Sequence, residues 1–145
     1  MSGSIPISGL DPAGPIGGDE QVPIVQDDET VRAPLRAPVV PIVVLSTGRA
    51  LELSDAGKVL RIASSSSQDI TVPKETDVAF PDGTIVNVRQ AGTGQVTIVE
   101  DDEVTVTTPS TYDLVGQWAE VSLHKVSGDL WDMVGALAED EGEGE

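Results

Sequence analysis

The chain has 145 residues and a formal net charge of −17, from 25 acidic and 8 basic side chains. This charge argues against nucleic acid and anionic membranes as partners, because both would repel it. The absence of cysteine and the single histidine exclude disulfides, thiolate metal sites and paired-histidine metal sites within one chain. No apolar run approaches the roughly 20 residues of a membrane-spanning helix.

Residues 1–45 form a proline-rich leader, called the arm below. Seven of the ten prolines lie there, so neither a helix nor a central strand is expected to run through it. Apolar side chains nevertheless recur along the arm, unlike in a flexible spacer. We therefore expect an extended segment that docks on another protein's surface; the alternative is a leader that wraps its own domain.

The arm residues predicted to bind a partner are apolar, apart from two arginines that could pair with acidic groups. They are Ile5, Ile7, Leu10, Ile16, Val22, Ile24, Val25, Val31, Arg32, Leu35, Arg36 and Val39. Within the arm, residues 22–26 and 30–33 flank Asp27-Asp28 and predict a small hairpin.

Residues 46–138 carry short β-patterned runs separated by turns, and we call them the β-domain. Residues 59–63 and 70–72 are predicted strands, and Pro81-Asp82-Gly83 is a turn signal. Residues 84–90, 95–100 and 104–107 are rich in Val, Ile and Thr with period-two alternation. These three runs predict an antiparallel meander, with Gly92 and Gly94 supplying positive φ at a tight reversal.

Residues 116–126 alternate again, and Ser127-Gly128-Asp129 predicts a hairpin turn into residues 130–137. About eight close-spaced strands without a convincing helix indicate an all-β fold, an antiparallel β-sandwich, jelly roll or barrel. The acidic tail, residues 139–145, is expected to be disordered.

Trp131 shares a strand face with Met133 and is predicted to be core. Trp118 falls on the face with Glu120 and His124, where it either caps an apolar edge or enters an oligomer interface. Sugar stacking on Trp118 is the remaining alternative.

Three other features of the sequence are candidate sites. Asp101-Asp102-Glu103 is dense in carboxylates but has no EF-hand spacing, so a solvated hairpin tip fits it better than a calcium site. His124 fits a hydrogen-bonded surface residue. Gly92-Thr93-Gly94 precedes a strand and therefore lacks the helix N-terminus of a phosphate site. No catalytic, cofactor or metal residues are predicted, and the chain is not expected to be an enzyme.

Two stretches resemble structural proteins of tailed-bacteriophage virions. The first comprises LSDAGKVLRI (53–62), ITVP (70–73), FPDGTIVNVRQAGTGQVTIV (80–99) and GQWAEVSLHKVSGDLWDMVGAL (116–137), and is similar to a β-domain of fibre and appendage proteins. The second, ISGLDPAGPIGGDEQVPIVQDDETVRA (7–33), resembles their N-terminal attachment segments.

The resemblance implies a virion protein, assembled in the host cytoplasm, that forms a homotrimer and is anchored by its N-terminus. It implies no catalytic residues. Because only an acidic tail follows Leu137, the expectation is a capsid decoration (cement) protein bound to the major capsid protein or another virion protein. The alternative is a short head or tail fibre that binds a host receptor or glycan.

Overall fold

A computed structural model describes residues 21–26, 29–34 and 39–142, with side chains from residue 39 onward. The chain divides into two compact units, Met1–Val39 and Val40–Glu145. Several sequence predictions lie outside the described residues: those on Ile5, Ile7, Leu10, Ile16, Leu35 and Arg36, and the disorder expected of residues 143–145.

The first unit contains a strand hairpin, and the predicted hairpin is thereby confirmed. Strand β1 (Gln21–Gln26) pairs antiparallel with β2 (Glu29–Pro34). Pro23 lies in β1 without breaking it, because a two-stranded sheet leaves every strand an unpaired edge at which no N–H is needed.

The second unit contains the β-domain and is built from strands, which confirms the all-β prediction. Its one short helical element among the described residues is a 3-10 turn at Leu53–Asp55. The strands are β3 (Ile42–Leu45), β4 (Val59–Ile62), β5 (Gln68–Val72), β6 (Ile85–Gln90), β7 (Val96–Glu100), β8 (Thr105–Thr107), β9 (Glu120–Ser127) and β10 (Leu130–Gly135). In the described part of the chain, no helix has the length and apolar character to cross a membrane.

The strands form one large and one small sheet. The large sheet has the order β3-β4-β6-β9-β10-β8, and the small sheet pairs β5 with β7. Pairing within β3-β4-β6, between β5 and β7 and between β10 and β8 is parallel, whereas β9 runs antiparallel to β6 and β10. The expectation of purely antiparallel sheets was therefore wrong. The connections after β3, β4 and β5 bring the chain back to the start of the sheet, so that the strands they lead to, β4, β6 and β7, run parallel to them.

The predicted meander over residues 84–107 does not form. Its three runs are strands β6, β7 and β8, but each pairs with a strand distant in sequence: β6 with β4 and β9, β7 with β5, and β8 with β10. The run Gly92-Thr93-Gly94 carries the chain from the large sheet to the small one instead of reversing it.

Gly92 and Gly94 are therefore needed for a different reason than predicted. Neither has positive φ. A Cβ atom on Gly92 would lie 1.9 Å from the carbonyl oxygen of Ser64, and one on Gly94 would lie 2.1 Å from that of Ser66. Close stacking of two backbone segments, residues 64–66 and 92–94, excludes side chains at these positions.

The buried residues of both sheets belong to one apolar cluster, which confirms the predicted inward faces. The large sheet contributes Leu60, Ile62, Val86, Val88, Val121, Leu123, Trp131 and Met133, and the small sheet contributes Ile70, Val72, Val96 and Ile98. Because these residues alternate with exposed or half-buried neighbours, the core lies on one side of each strand.

Candidate functional site

The structure gives backbone positions for five of the predicted arm residues and places them on the hairpin. Val22, Ile24 and Val25 lie in β1, and Val31 and Arg32 lie in β2. The register sets Ile24 opposite Val31 and Pro23 opposite Arg32. Val39, the last of the predicted arm residues, is exposed.

Trp118 lies in a turn, not in a strand as predicted, because β9 begins only at Glu120. The turn is closed by the backbone N–H of Ala119, which donates to the Gly116 carbonyl (3.1 Å). The backbone N–H of Trp118 donates to the Gln90 carbonyl (2.6 Å). Trp118 has φ of +75°, which is rare for a bulky residue. Its side chain is 62% exposed, with the Arg61 guanidinium 6.0 Å from the ring centroid.

A second exposed apolar feature is strand β3, which falls within the sequence-defined arm. Ile42 and Val44 point outward, while Val43 and Leu45 pack against the core. Together with Val40, Arg61 and Trp118, Ile42 and Val44 make up what we call the β3–Trp118 surface. Sequence reasoning missed β3 because the neighbouring prolines argued for an arm; the uncharged run PIVVL (41–45) was the available signal.

The acidic segment at residues 100–103 begins at the end of β7, where Glu100 accepts hydrogen bonds from two neighbouring segments. Glu100 Oε1 accepts from the Val106 N–H (2.6 Å) and from the Tyr112 hydroxyl (3.1 Å). Burial raises the pKa of Tyr112, and the hydrogen bond to Glu100 and the negative charge of Glu100 raise that pKa further. Asp102 and Glu103 are exposed in a turn. No group of three or more His, Asp or Glu residues suited to a metal ion occurs within the described ranges.

His124 is half-buried on the outward face of β9. The register places it opposite Ile85 of β6 and Asp132 of β10. The outward-facing position agrees with a surface residue, and the hydrogen bond expected of its ring stays a prediction.

Two shallow hollows open on the β-domain. One has a volume of about 260 Å³ and is lined by Thr97, Ile98, Val99, Glu100 and Tyr112. The other, of about 340 Å³, is lined by Thr107, Thr108, Pro109, Asp132, Met133 and Val134. Their lining is largely apolar, and each contains a single carboxylate.

Among the residues whose side chains are described, Arg49 and Asp55 form an ion pair that is structural. The Asp55 side chain is buried and accepts two hydrogen bonds from Arg49 (2.7 and 2.9 Å) and one from the Glu52 N–H (2.7 Å). Burial alone would raise the pKa of Asp55, but the hydrogen bonds from Arg49 and Glu52 and the charges of Arg49 and Lys58 outweigh it and leave that pKa lowered.

Asp55→Asn is expected to lower the free energy of unfolding by about 2 kcal/mol at pH 7, because a charge-assisted hydrogen-bond network is lost. A carboxyl whose folded pKa is depressed stabilises fully above its unfolded pKa, about 3.9 for aspartate, and loses that contribution as pH falls through the folded value. The difference between wild type and variant should therefore be constant near neutrality and shrink below about pH 4.

Urea unfolding at pH 7 and pH 3 measures both effects. Asp132→Asn, which removes an exposed carboxylate on β10, is the control and should change stability little. Equal stability of wild type and Asp55→Asn at pH 7 would contradict the assignment.

Comparison of the chain with protein-family models finds no match, and comparison with curated proteins finds none either. The resemblance to phage virion proteins accordingly stays a prediction.

Proposed function

We propose that this chain is a non-enzymatic structural protein of a tailed-bacteriophage virion, a capsid decoration protein. Its arm binds the major capsid protein or another virion protein, and its β-domain forms a trimer. The observation that carries the proposal is the hairpin of β1 and β2 within a proline-rich, apolar leader.

The hairpin supports docking by strand addition. Among the described strands, β1 and β2 pair only with each other, so each has an unpaired edge. Pro23 removes an N–H from β1, so the edge of β2 is the better template for extending a partner's sheet with its N–H and C=O groups. The arm also supplies apolar side chains at intervals for pockets on a partner. Many weak contacts made together across a capsid lattice stabilise the shell by mass action.

The β-domain fits the role of a rigid, projecting body. As part of the proposal, its two sheets pack as a sandwich or jelly roll. The shared apolar cluster supports this arrangement, since Val86 and Val88 of the large sheet and Ile70 and Ile98 of the small sheet are all buried in it.

Deleting residues 1–38 is expected to abolish capsid binding while leaving the β-domain folded. The measurement is co-sedimentation with purified phage heads that lack this protein, together with far-ultraviolet circular dichroism of the shortened chain. The full chain and a control lacking residues 139–145 should both pellet with the heads. Binding retained by a folded chain without residues 1–38 would contradict the role of the arm.

A short head or tail fibre that binds a host glycan is the second candidate. The exposed indole of Trp118 beside Arg61 favours it, because aromatic rings stack on sugars and arginine binds acidic groups. Glycan-array binding that weakens in Trp118→Ala would support this candidate over decoration.

A further inference from the structure

The β3–Trp118 surface concentrates exposed apolar area at one edge of the large sheet. Val40, Ile42, Val44 and Trp118 are 59%, 61%, 63% and 62% exposed. Isolated exposed apolar residues are ordinary, but a continuous group marks an interaction surface.

The surface is continuous because Arg61 joins its two parts. Val44 and Arg61 are register partners in β3 and β4 and lie on the outward face, since Leu60 and Ile62 face the core. The guanidinium of Arg61 in turn lies 6.0 Å from the centroid of the Trp118 ring. Valine, guanidinium and indole therefore follow one another across the sheet.

The backbone of β3 adds hydrogen-bonding capacity to the same surface. Among the described strands, β3 pairs only with β4 and is an edge of the sheet. The Pro41 carbonyl accepts from the Val59 N–H of β4, and the Leu45 carbonyl accepts from the N–H of Ala63, the residue after β4. Alternation therefore turns the backbone groups of Ile42 and Val44 to the outer side. Edge strands are commonly protected by charged residues, yet residues 37–48 carry none.

The backbone of Trp118 is an independent sign of function. A backbone φ of +75° is energetically unfavourable for a tryptophan. Because the ring is exposed, its packing within the domain offsets little of that conformational energy. The turn nevertheless holds the indole outward, because the backbone N–H of Trp118 is fixed by its hydrogen bond to the Gln90 carbonyl. Such a strained residue is explained when its side chain binds something outside the domain.

We propose that the β3–Trp118 surface is the site where copies of this chain associate. This inference rests on the trimer of the proposed function and specifies its interface. The occupant is the β3–Trp118 surface of neighbouring copies: the indole of each copy packs on Ile42 and Val44 of the next around a symmetry axis, burying all the exposed members together.

The charge distribution of the chain favours a second copy of the same chain over a basic protein as the partner of this surface. Chains with a net charge of −17 repel one another over most of their surface, so they can approach only where negative charge is lacking. The β3–Trp118 surface has this property. Its one ionisable side chain is the cation of Arg61, and the neighbouring Arg89 is paired with Glu120 at 2.6 Å. A basic partner would be attracted instead to the acidic remainder.

The test measures the assembly of the full chain by sedimentation equilibrium across protein concentrations. Ile42→Lys and Val44→Lys each place a charge in the interface and are expected to raise the dissociation constant at least tenfold. Trp118→Ala is expected to act in the same direction. These side chains are exposed, so circular dichroism and thermal unfolding of each monomer should show an intact fold.

Val134→Lys is the matched control. Val134 is an exposed valine in β10, four strands from β3 and therefore about 19 Å away at the usual strand spacing of about 4.8 Å. The same charge change there should leave the dissociation constant unaltered. An equal effect in Val134→Lys would overturn the assignment to this edge.

The remaining outcomes separate this inference from the proposed function. Variants that assemble as tightly as wild type overturn the interface but leave capsid docking intact. A dimer dissociated by Ile42→Lys supports the interface and contradicts the trimer. A wild-type monomer that associates only after residues 1–38 are removed overturns the inference, because the chain's own leader would then occupy the surface.

Discussion

Gly94→Ala is expected to lower the free energy of unfolding by about 3 kcal/mol or more, because overpacking against backbone cannot be relieved by a rotamer change. The new Cβ would lie 2.1 Å from the Ser66 carbonyl oxygen and 2.4 Å from its carbonyl carbon. Residue 94 is also bonded to the same segment, since its N–H donates to the Ser64 carbonyl (3.0 Å). Separating the two segments to admit a methyl group would strain that bond.

Urea unfolding followed by circular dichroism measures the loss. Thr93→Ala is the matched control, because Thr93 lies between the two crowded glycines and is itself exposed. Its stability should stay within about 0.5 kcal/mol of wild type. Wild-type stability in Gly94→Ala would show that residues 64–66 and 92–94 do not stack as described.

Trp131→Ala is expected to cost about 3–5 kcal/mol, the usual range for truncating a large buried aromatic side chain. The Trp131 side chain is fully buried and meets the Phe80 ring edge-on, with centroids 5.3 Å apart and an interplanar angle of 84°. The ammonium of Lys125 lies 5.5 Å from the indole centroid and loses its cation–π partner in the variant.

Two further variants separate packing from polar effects. The indole N–H of Trp131 has no hydrogen-bond acceptor among the described residues, so Trp131→Phe should cost much less than Trp131→Ala. Trp118→Ala removes the same side chain from an exposed site and should leave the stability of the dilute monomer nearly unchanged. Similar losses in Trp131→Ala and Trp118→Ala would contradict the placement of Trp131 in the core.

The inward faces of the strands were predictable from sequence because side-chain alternation is a local property. The period-two alternation over residues 84–90 and 95–100 matches the burial of Val86, Val88, Val96 and Ile98, and Trp131 and Met133 are buried as predicted. The hairpin between β9 and β10 was equally predictable, since a short turn joins its two strands.

Strand partners could not be predicted in the same way. The partners of β6 are β4 and β9, and nothing within residues 84–107 specifies that β6 pairs with these two strands. Gly92 and Gly94 were misinterpreted for a related reason. A glycine required by close approach of a distant segment has the same local sequence as one required by a turn.

The candidate site was predictable in part. The placement of Trp118 outside the core could be predicted because it shares a face with the polar residues Glu120 and His124. The turn that contains Trp118 could not be predicted from the sequence. Strand β3 was hidden because Pro38 and Pro41 favour an extended leader, and proline at the start of an edge strand gives the same pattern.

The position of the last hairpin constrains how the protein is made. Strand β9 lies in the interior of the large sheet, between β6 and β10, and β8 pairs with the sheet only through β10. A nascent polypeptide that has not yet released residues 120–135 from the ribosome leaves β6 with an open edge and β8 without any neighbour. Completion of the large sheet therefore waits until residues 120–135 have left the ribosome, and chains that stop before them keep open strand edges that favour aggregation.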